Sequence, residues 1–370
     1  MNKLMQALLF GAMVGVISGC GGSSSGNSGN TNNWNLVGGS NIPGSNTVLN
    51  SIVYGNGQVY TGGSVDVNNP AVFNYVKSWQ ITGGNYLPNP NGATEQVNSI
   101  AIDNNKTLYA AVNVTMSGSF GYRPTVGYLA NNSGNGGSWV ILANESGVPD
   151  NGGINSISVS NGTTYAGTGG YDLNNNVYYG HVYSCAGAQS PWQAVGGESV
   201  PNGGQVYSVA LSNTSSVYAG TGGYDLTTNS SFGSVYVSIN NGSWQQVGGG
   251  AIPDSGVVTS LAISPTNQIY AATSNGNVYL STGNSSWSLF GGGSLPNNSS
   301  ITSINLSSNG LIYAASNNGN IYAAAINQPW QLVGGGGMPD GWYANAITTA
   351  SGVIYAATQG GNVYSTKISQ

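Results

Sequence analysis

Tryptophan recurs along this 370-residue chain at positions 34, 79, 139, 192, 244, 287 and 330, at intervals of 45, 60, 53, 52, 43 and 43 residues. Each copy opens the same phrase, from "WNLVGGSNIPG" at residue 34 to "WQLVGGGGMPD" at residue 330. A proline follows nine residues after the tryptophan in six copies and ten after it in the third, which also places Ala143-Asn144 where the others carry paired glycines. A period of this length means that one small supersecondary unit has been copied. Such a unit buries its apolar face only against its neighbours.

Three further runs separate successive phrases. In the fifth repeat they read "VVTSLAIS", "QIYAAT" and "NVYLST", rich in β-branched residues and tyrosine and bounded by Asn, Gly or Pro. The composition agrees, with 60 glycines, 23 tyrosines and only 4% charged residues, a balance that favours turns and strands over helices. With the strands of a repeat labelled A to D and tryptophan leading D, the chain opens on a lone D strand at Trp34. It closes, after Trp342, on A, B and C runs with no D strand. The expected fold is therefore all-β, a seven-bladed β-propeller over residues 34–370 with four antiparallel strands per blade. The N-terminal strand completes the last blade, so that no sheet edge stays open. A glycine loop that grips phosphate needs a following helix and a cation, and "VGGGGMPDG" has neither. Its glycines are read as turns between blades, with the proline fixing φ.

The first twenty residues, "MNKLMQALLFGAMVGVISGC", have the layout of a secretory signal: Lys3, an apolar run, then small residues. Ile17-Ser18-Gly19-Cys20 resembles the lipobox of bacterial lipoproteins, which implies lipidation at Cys20 and an address in the cell envelope. Gly21 after the cysteine points to the outer membrane. Residues 21–33 form an uncharged Gly/Ser/Asn tether. Removing the signal leaves four basic residues (Lys77, Lys106, Arg123 and Lys367) against ten acidic ones, too few to neutralise a phosphate backbone, so nucleic acid is excluded as a partner. The only membrane contact expected is the lipid. With Cys20 lipidated, Cys185 has no partner for a disulfide.

The turns from strand C to strand D read Ser238-Ile239-Asn240-Asn241-Gly242-Ser243-Trp244 and Ser281-Thr282-Gly283-Asn284-Ser285-Ser286-Trp287. They resemble the Asp box of bacterial neuraminidase-repeat propellers, without its aspartate and one residue short. Sialidase chemistry in that family uses three arginines, and this chain has one. His181 is the sole histidine, so a four-coordinate zinc site and a His-assisted nucleophile are both poorly supplied, and no cofactor is expected. Carboxylate chemistry asks only for two acids facing a cleft. Asp150, Asp254 and Asp340 follow the repeated proline and Asp103 starts a turn, which leaves Asp66, Glu95, Glu145, Asp172, Glu198 and Asp225.

In an up-and-down blade the B–C turn and the connection to the next blade emerge on one face. The B–C turns are minimal in repeats five to seven and extended in repeats one to four, and two of the long ones share Gly-Gly-Tyr-Asp-Leu. Tyr171, Asp172, Tyr224 and Asp225 are the candidate ligand-binding residues, the ring stacking on a sugar while the carboxylate accepts from its hydroxyls. The alternative is a duplicated blade that carried its loop with it. Asp172-x-Asn174-x-Asn176 also opens like a calcium loop, but lacks the later Gly and Glu. The function expected is that of an envelope lipoprotein, not an enzyme, whose propeller face binds a glycan or a protein partner. The alternatives are a glycan-cleaving enzyme built on carboxylates and a scaffold for an envelope assembly.

Overall fold

The computed structural model describes residues 32–368 apart from 40, 45–46, 66–68, 85–86, 88–94, 115–123, 131–136, 144–146, 150–151, 173–176, 198, 202–203, 226–228 and 283–284. Within it the four runs of each repeat pair in chain order into one antiparallel sheet, giving seven blades. The inner A strands are Val48–Gly55, Glu95–Ile102, Gly153–Ser160, Gln205–Leu211, Val258–Ile263, Ile301–Leu306 and Ala344–Ala350. Closure is as expected. Asn35–Leu36 pairs with Val363–Lys367, placing Asn35 opposite Ser365 and Leu36 opposite Tyr364. Two bonds to the preceding phrase around the ring reinforce it, from the Asn33 amide to Gly334 O at 2.8 Å and from Trp34 Nε1 to Gly336 O at 3.2 Å.

A blade has no core of its own. The buried apolar residues divide into seven clusters, and each lies between adjacent blades: Tyr270 and Val278 of blade 5 with Ile301 and Ile312 of blade 6, for example, or Ala357 and Val363 of blade 7 with Leu49 and Ile52 of blade 1. The apolar driving force therefore acts across blade boundaries, and no blade can bury its faces alone.

The phrase glycines serve the same boundaries. At Gly334 φ is +74°, and a Cβ there would stand 2.3 Å from Nε1 of Trp34, the next tryptophan around the ring. Glycine is required both by the left-handed backbone and by the indole lying on it. Neighbouring indoles donate back into the preceding phrase, Trp79 Nε1 to Val37 O at 3.0 Å and Trp244 Nε1 to Val195 O at 3.0 Å. The third phrase keeps the conformation without the glycine, with Ala143 at φ +56°.

Each A strand carries one bulge. Its register against strand B slips by a residue at Asn50, Asn98, Asn155, Tyr207, Thr259, Thr302 and Asn345. The residue after the bulge is serine in six blades, and its Oγ accepts an amide N–H from the next blade. Ile100 donates to Ser51, Ile157 to Ser99, Val209 to Ser156, Leu261 to Ser208, Ile304 to Ser260 and Ile347 to Ser303, over 3.0 to 3.4 Å. In the seventh blade Ala346 stands there and accepts nothing. Ser208→Ala would leave the Leu261 amide without its acceptor, a loss of about 1–2 kcal/mol. Thermal denaturation of this variant should fall by a few degrees. An unchanged melting temperature would mean that the hydroxyl carries no share of the blade contact.

Candidate functional site

The bulges do more than join blades, because the extra residues of six of them line one common space. Asn50, Gln96, Asn98, Asn155, Tyr207, Thr259, Ser300 and Thr302 line a space of about 440 Å³, with Ile301 the one apolar contributor. The asparagine side chains are pinned to the wall. Asn50 Nδ2 donates to Val97 O at 3.0 Å, Asn98 Nδ2 to Ile154 O at 3.1 Å, Asn155 Nδ2 to Val206 O at 3.0 Å and Asn345 Nδ2 to Leu49 O at 2.8 Å. Thr302 Oγ1 makes the equivalent bond to Ala344 O at 2.5 Å. A carbonyl needs a donor, so these contacts place each amide nitrogen on the wall and commit one of its two hydrogens. Tyr207 departs from the pattern. Burial, with Tyr178 nearby, pushes its hydroxyl pKa up to about 12.

At one mouth of the channel the blade connections meet the B–C turns. Asp254 shows how this rim is fixed: Oδ2 accepts from Thr273 Oγ1 at 2.8 Å and Asn277 Nδ2 at 2.6 Å, while Oδ1 accepts the Gly256 amide at 2.9 Å. Asp340 repeats the arrangement in blade 7, with Thr358 Oγ1 at 2.7 Å, Asn362 Nδ2 at 2.9 Å and the Trp342 amide at 3.1 Å. These acids are thus clamps between a connection and a turn, a role that the sequence reading of them as turn residues did not include. Just beyond Asp340 the rim carries Trp342 and Tyr343, 46% and 47% exposed. The Trp342 indole lies over the turn glycine Gly360, where a Cβ would stand 2.3 Å from its Cδ1, and the Tyr343 carbonyl accepts the Gln359 amide at 3.0 Å. Tyr343 occupies the blade position held by Gln96 and Ser300, which line the channel.

The segments read from sequence as long loops in blades 3 and 4 are in good part strand. Strand B of blade 4 runs through Ser216–Asp225 and pairs with Ser230–Ile239, putting Tyr224 opposite Ser231 and Asp225 opposite Ser230. In blade 3, Thr163–Asp172 continues past the blade to pair with Val177–Tyr179, so Tyr171 faces Tyr178. Tyr224 Oη donates to Asn229 Oδ1 at 2.6 Å. The two hairpins touch where Gly223 meets Phe232 of its own blade and Tyr178 of the blade before. The side chains of Tyr171, Asp172, Asp225 and Glu95 lie outside the described residues, as do Cys20, Asp66, Arg123, Glu145, Asp150 and Glu198.

The remaining chemistry-bearing residues are packed. Cys185 is 1% exposed and its Sγ donates to Gly187 O and Ser190 O at 3.1 and 3.2 Å. His181 sits between the rings of Tyr179 and Tyr183, at 6.2 and 5.5 Å. Asp103 is buried, with Oδ1 accepting the Thr107 amide at 2.8 Å.

Fold and channel together define a seven-bladed β-propeller. No family model matches the chain, and no curated protein matches it by sequence. Solved structures match by shape. A catalytically inactive virginiamycin B lyase from Staphylococcus aureus, solved with quinupristin, superposes with a TM-score of 0.66 at 11% identity, over 90% of this chain and 98% of that one. YCF48 bound to D1 peptide gives 0.61 at 14% identity over 92% and 98%, and the WD40 propeller domain of Doa1 gives 0.61 at 14% over 91% and 98%. At these identities the likeness is one of fold. It nonetheless corrects one expectation, that the chain is not an enzyme: a lyase stands among the propellers of this shape, so scarcity of titratable side chains was insufficient ground for that conclusion.

Two other tyrosines share the upward shift of Tyr207 to about 12. Burial, then Asp103, raises Tyr109 to about 12, and burial, then Asp340, does the same for Tyr364. Groups with raised folded pKa values stabilise the fold fully below their unfolded pKa, about 10, and that contribution is lost as pH climbs through about 12. Melting temperatures followed by circular dichroism should therefore hold steady up to about pH 10 and then fall, with tyrosinate absorbance rising in step. A flat profile to pH 12 would contradict this burial.

Proposed function

We propose that this propeller is a binding module held at the bacterial outer membrane, and that it takes an extended segment of a protein partner across the rim that surrounds the channel mouth. The observation that carries this reading is the exposed Trp342-Tyr343 pair beside a polar channel. Exposed large aromatics at the edge of a concave polar site are the residues around which protein contacts concentrate. The hairpins of blades 3 and 4, with Tyr171, Asp172, Tyr224 and Asp225, supply a second contact zone on the same face. Support of a more general kind comes from YCF48, a propeller of this shape solved with a peptide bound. Membrane attachment rests on Ile17-Ser18-Gly19-Cys20 alone.

Two measurements test the two halves. A peptide array probed with the protein should select segments whose affinity drops by about tenfold to a hundredfold in the Trp342→Ala/Tyr343→Ala double variant, the scale of two aromatic contacts. Selection of glycans in place of peptides, or equal binding by the variant, would defeat the partner reading. Cys20→Ala should move the protein from the membrane to the soluble fraction with its melting temperature unchanged. Retention in the membrane would defeat the anchor.

A further inference from the structure

The few charges of this propeller are sorted between its two ends. Strand A runs from the rim that carries Asp254 and Asp340 to the A–B turn, and strand C finishes level with that turn. In blade 7 Lys367 closes strand C opposite Val353, and the Ile368 amide donates to Gly352 O of the turn at 2.8 Å. In blade 1 Tyr75 stands opposite Val59, just after the Asn56-Gly57 turn, so Val76 and Lys77 follow at the same end. Lys106 lies in the A–B turn of blade 2, and Asn56 Nδ2 donates to its carbonyl across the blade boundary at 3.0 Å. All three lysines are exposed, and no other lysine or arginine is among the described residues. They occupy the consecutive blades 7, 1 and 2.

The acids lie the other way. Asp254 and Asp340 sit in the rim, Glu95 opens its A strand, and Asp172 and Asp225 close their B strands, all at the rim end. The described exception is Asp103, 6% exposed in the blade 2 turn, whose carboxylate accepts from the Thr107 amide at 2.8 Å and from Tyr109 Oη at 3.4 Å. Among the described residues the lysine end therefore carries 3 − 1 = +2 and the rim end −5. The apolar surface adds to the contrast. Val76 and Ile326, 54% and 55% exposed, are the most exposed of the large apolar residues described, and both lie in C–D turns at the lysine end, on blades 1 and 6. An aliphatic side chain beside an ammonium suits the boundary of a lipid headgroup layer, where the one leaves water and the other meets phosphate.

Reach decides the rest. The chain joins the ring at blade 7, the blade of Lys367, and 32 − 20 = 12 residues separate Asn32 from Cys20. Even fully extended they span at most about 40 Å. An anionic lipid surface then favours each lysine roughly fivefold, so three bias the orientation on the order of a hundredfold, while the rim is repelled. We infer that the lysine end of blades 7, 1 and 2 rests on the anionic phospholipid headgroups of the membrane that holds Cys20, which turns the rim with Trp342 and Tyr343 away from the lipid. This deepens the membrane half of the reading above and rests on it. Scattered at 77, 106 and 367, the lysines give no sign in the sequence of sharing an end, and the membrane contact expected there stops at the lipid.

The test is hydrogen exchange on the lipoprotein, reconstituted through its anchor into vesicles of phosphatidylcholine alone or with about one third phosphatidylglycerol. On the anionic vesicles the turns at 56–57, 104–107 and 351–352 should exchange about threefold or more slowly than on the neutral ones, while 253–256 and 340–343 keep their rates. Salt at about 0.5 M should erase the difference, as should Lys77→Gln/Lys106→Gln/Lys367→Gln, with an unchanged melting temperature showing that the variant folds. No slowing, equal slowing at both ends, slowing at the rim, or slowing that survives both salt and the variant overturns the proposal. No slowing on vesicles, with the same turns protected by polyglutamate, would assign the face to an acidic protein instead. A second preparation, Cys20→Ala held on the same vesicles by an N-terminal hexahistidine and a nickel-chelating lipid, repeats the test without acylation. If only this one associates with vesicles and shows the pattern, the anchor reading falls and the lysine face stands. If the first is anchored and shows no pattern, the face falls and the anchor stands.

Discussion

The interaction on which this structure depends is a hydrogen bond from an amide of one blade to the serine hydroxyl of the blade before. The serine follows the one-residue bulge that the inner strand of every blade carries. The inner strand is an edge of its sheet, so alternate amides have no partner in their own blade and can reach across the boundary. Six serines receive such a bond, and four asparagines with one threonine make a parallel set from side chain to carbonyl. The apolar clusters lie on the same boundaries. Both kinds of contact join neighbouring blades, and Asn35–Leu36 completes the seventh blade, so that the ring closes with Ala346 as the one position without the serine bond.

One consequence is that the wall of the channel is set by stability. The asparagines that hold blades together commit one amide hydrogen each to a neighbouring carbonyl, and the polarity of the channel comes from the oxygens and hydrogens that remain. The rim is likewise fixed by structural bonds, with Asp254 and Asp340 each tying a connection to a turn. Trp342 and Tyr343 are held in place by that tie through the Trp342 amide and the Gly360 turn. A side chain that is exposed and yet positioned by a rigid loop gives up little entropy on binding.

The fold was legible because its signals repeat. Seven tryptophans set the blade count, and the lone strand at Trp34 against the missing one after Trp342 set the closure. The glycine phrase was legible as punctuation, although the indole lying on its first glycine was not, since that contact joins one repeat to the next and, at Gly334 and Trp34, the two ends of the ring. The site was less legible. Tyr171, Asp172, Tyr224 and Asp225 stood out as a repeated phrase, but its paired glycines read as a turn and concealed that the phrase continues the strands. The channel ring went unread despite a signal in plain view: "LNSI", "VNSI", "INSI", "VYSV", "VTSL", "ITSI" and "ANAI" occupy one position in seven blades. Alternation accounts for all but the second residue of each, and a bulge, which alternation does not anticipate, places that residue on the channel in six of the seven. Trp342 also carried a signal, as the eighth tryptophan and the one out of period.

Native-state hydrogen exchange tests the claim that the blades are tied into one unit. The amides of Ile100, Ile157, Val209, Leu261, Ile304 and Ile347, each donated to a serine of the preceding blade, should exchange only through global unfolding, with a single free energy and a single dependence on denaturant. Ile52, whose counterpart acceptor is Ala346, should exchange faster than these six. Distinct free energies from blade to blade would show that blades open independently, and would contradict the account.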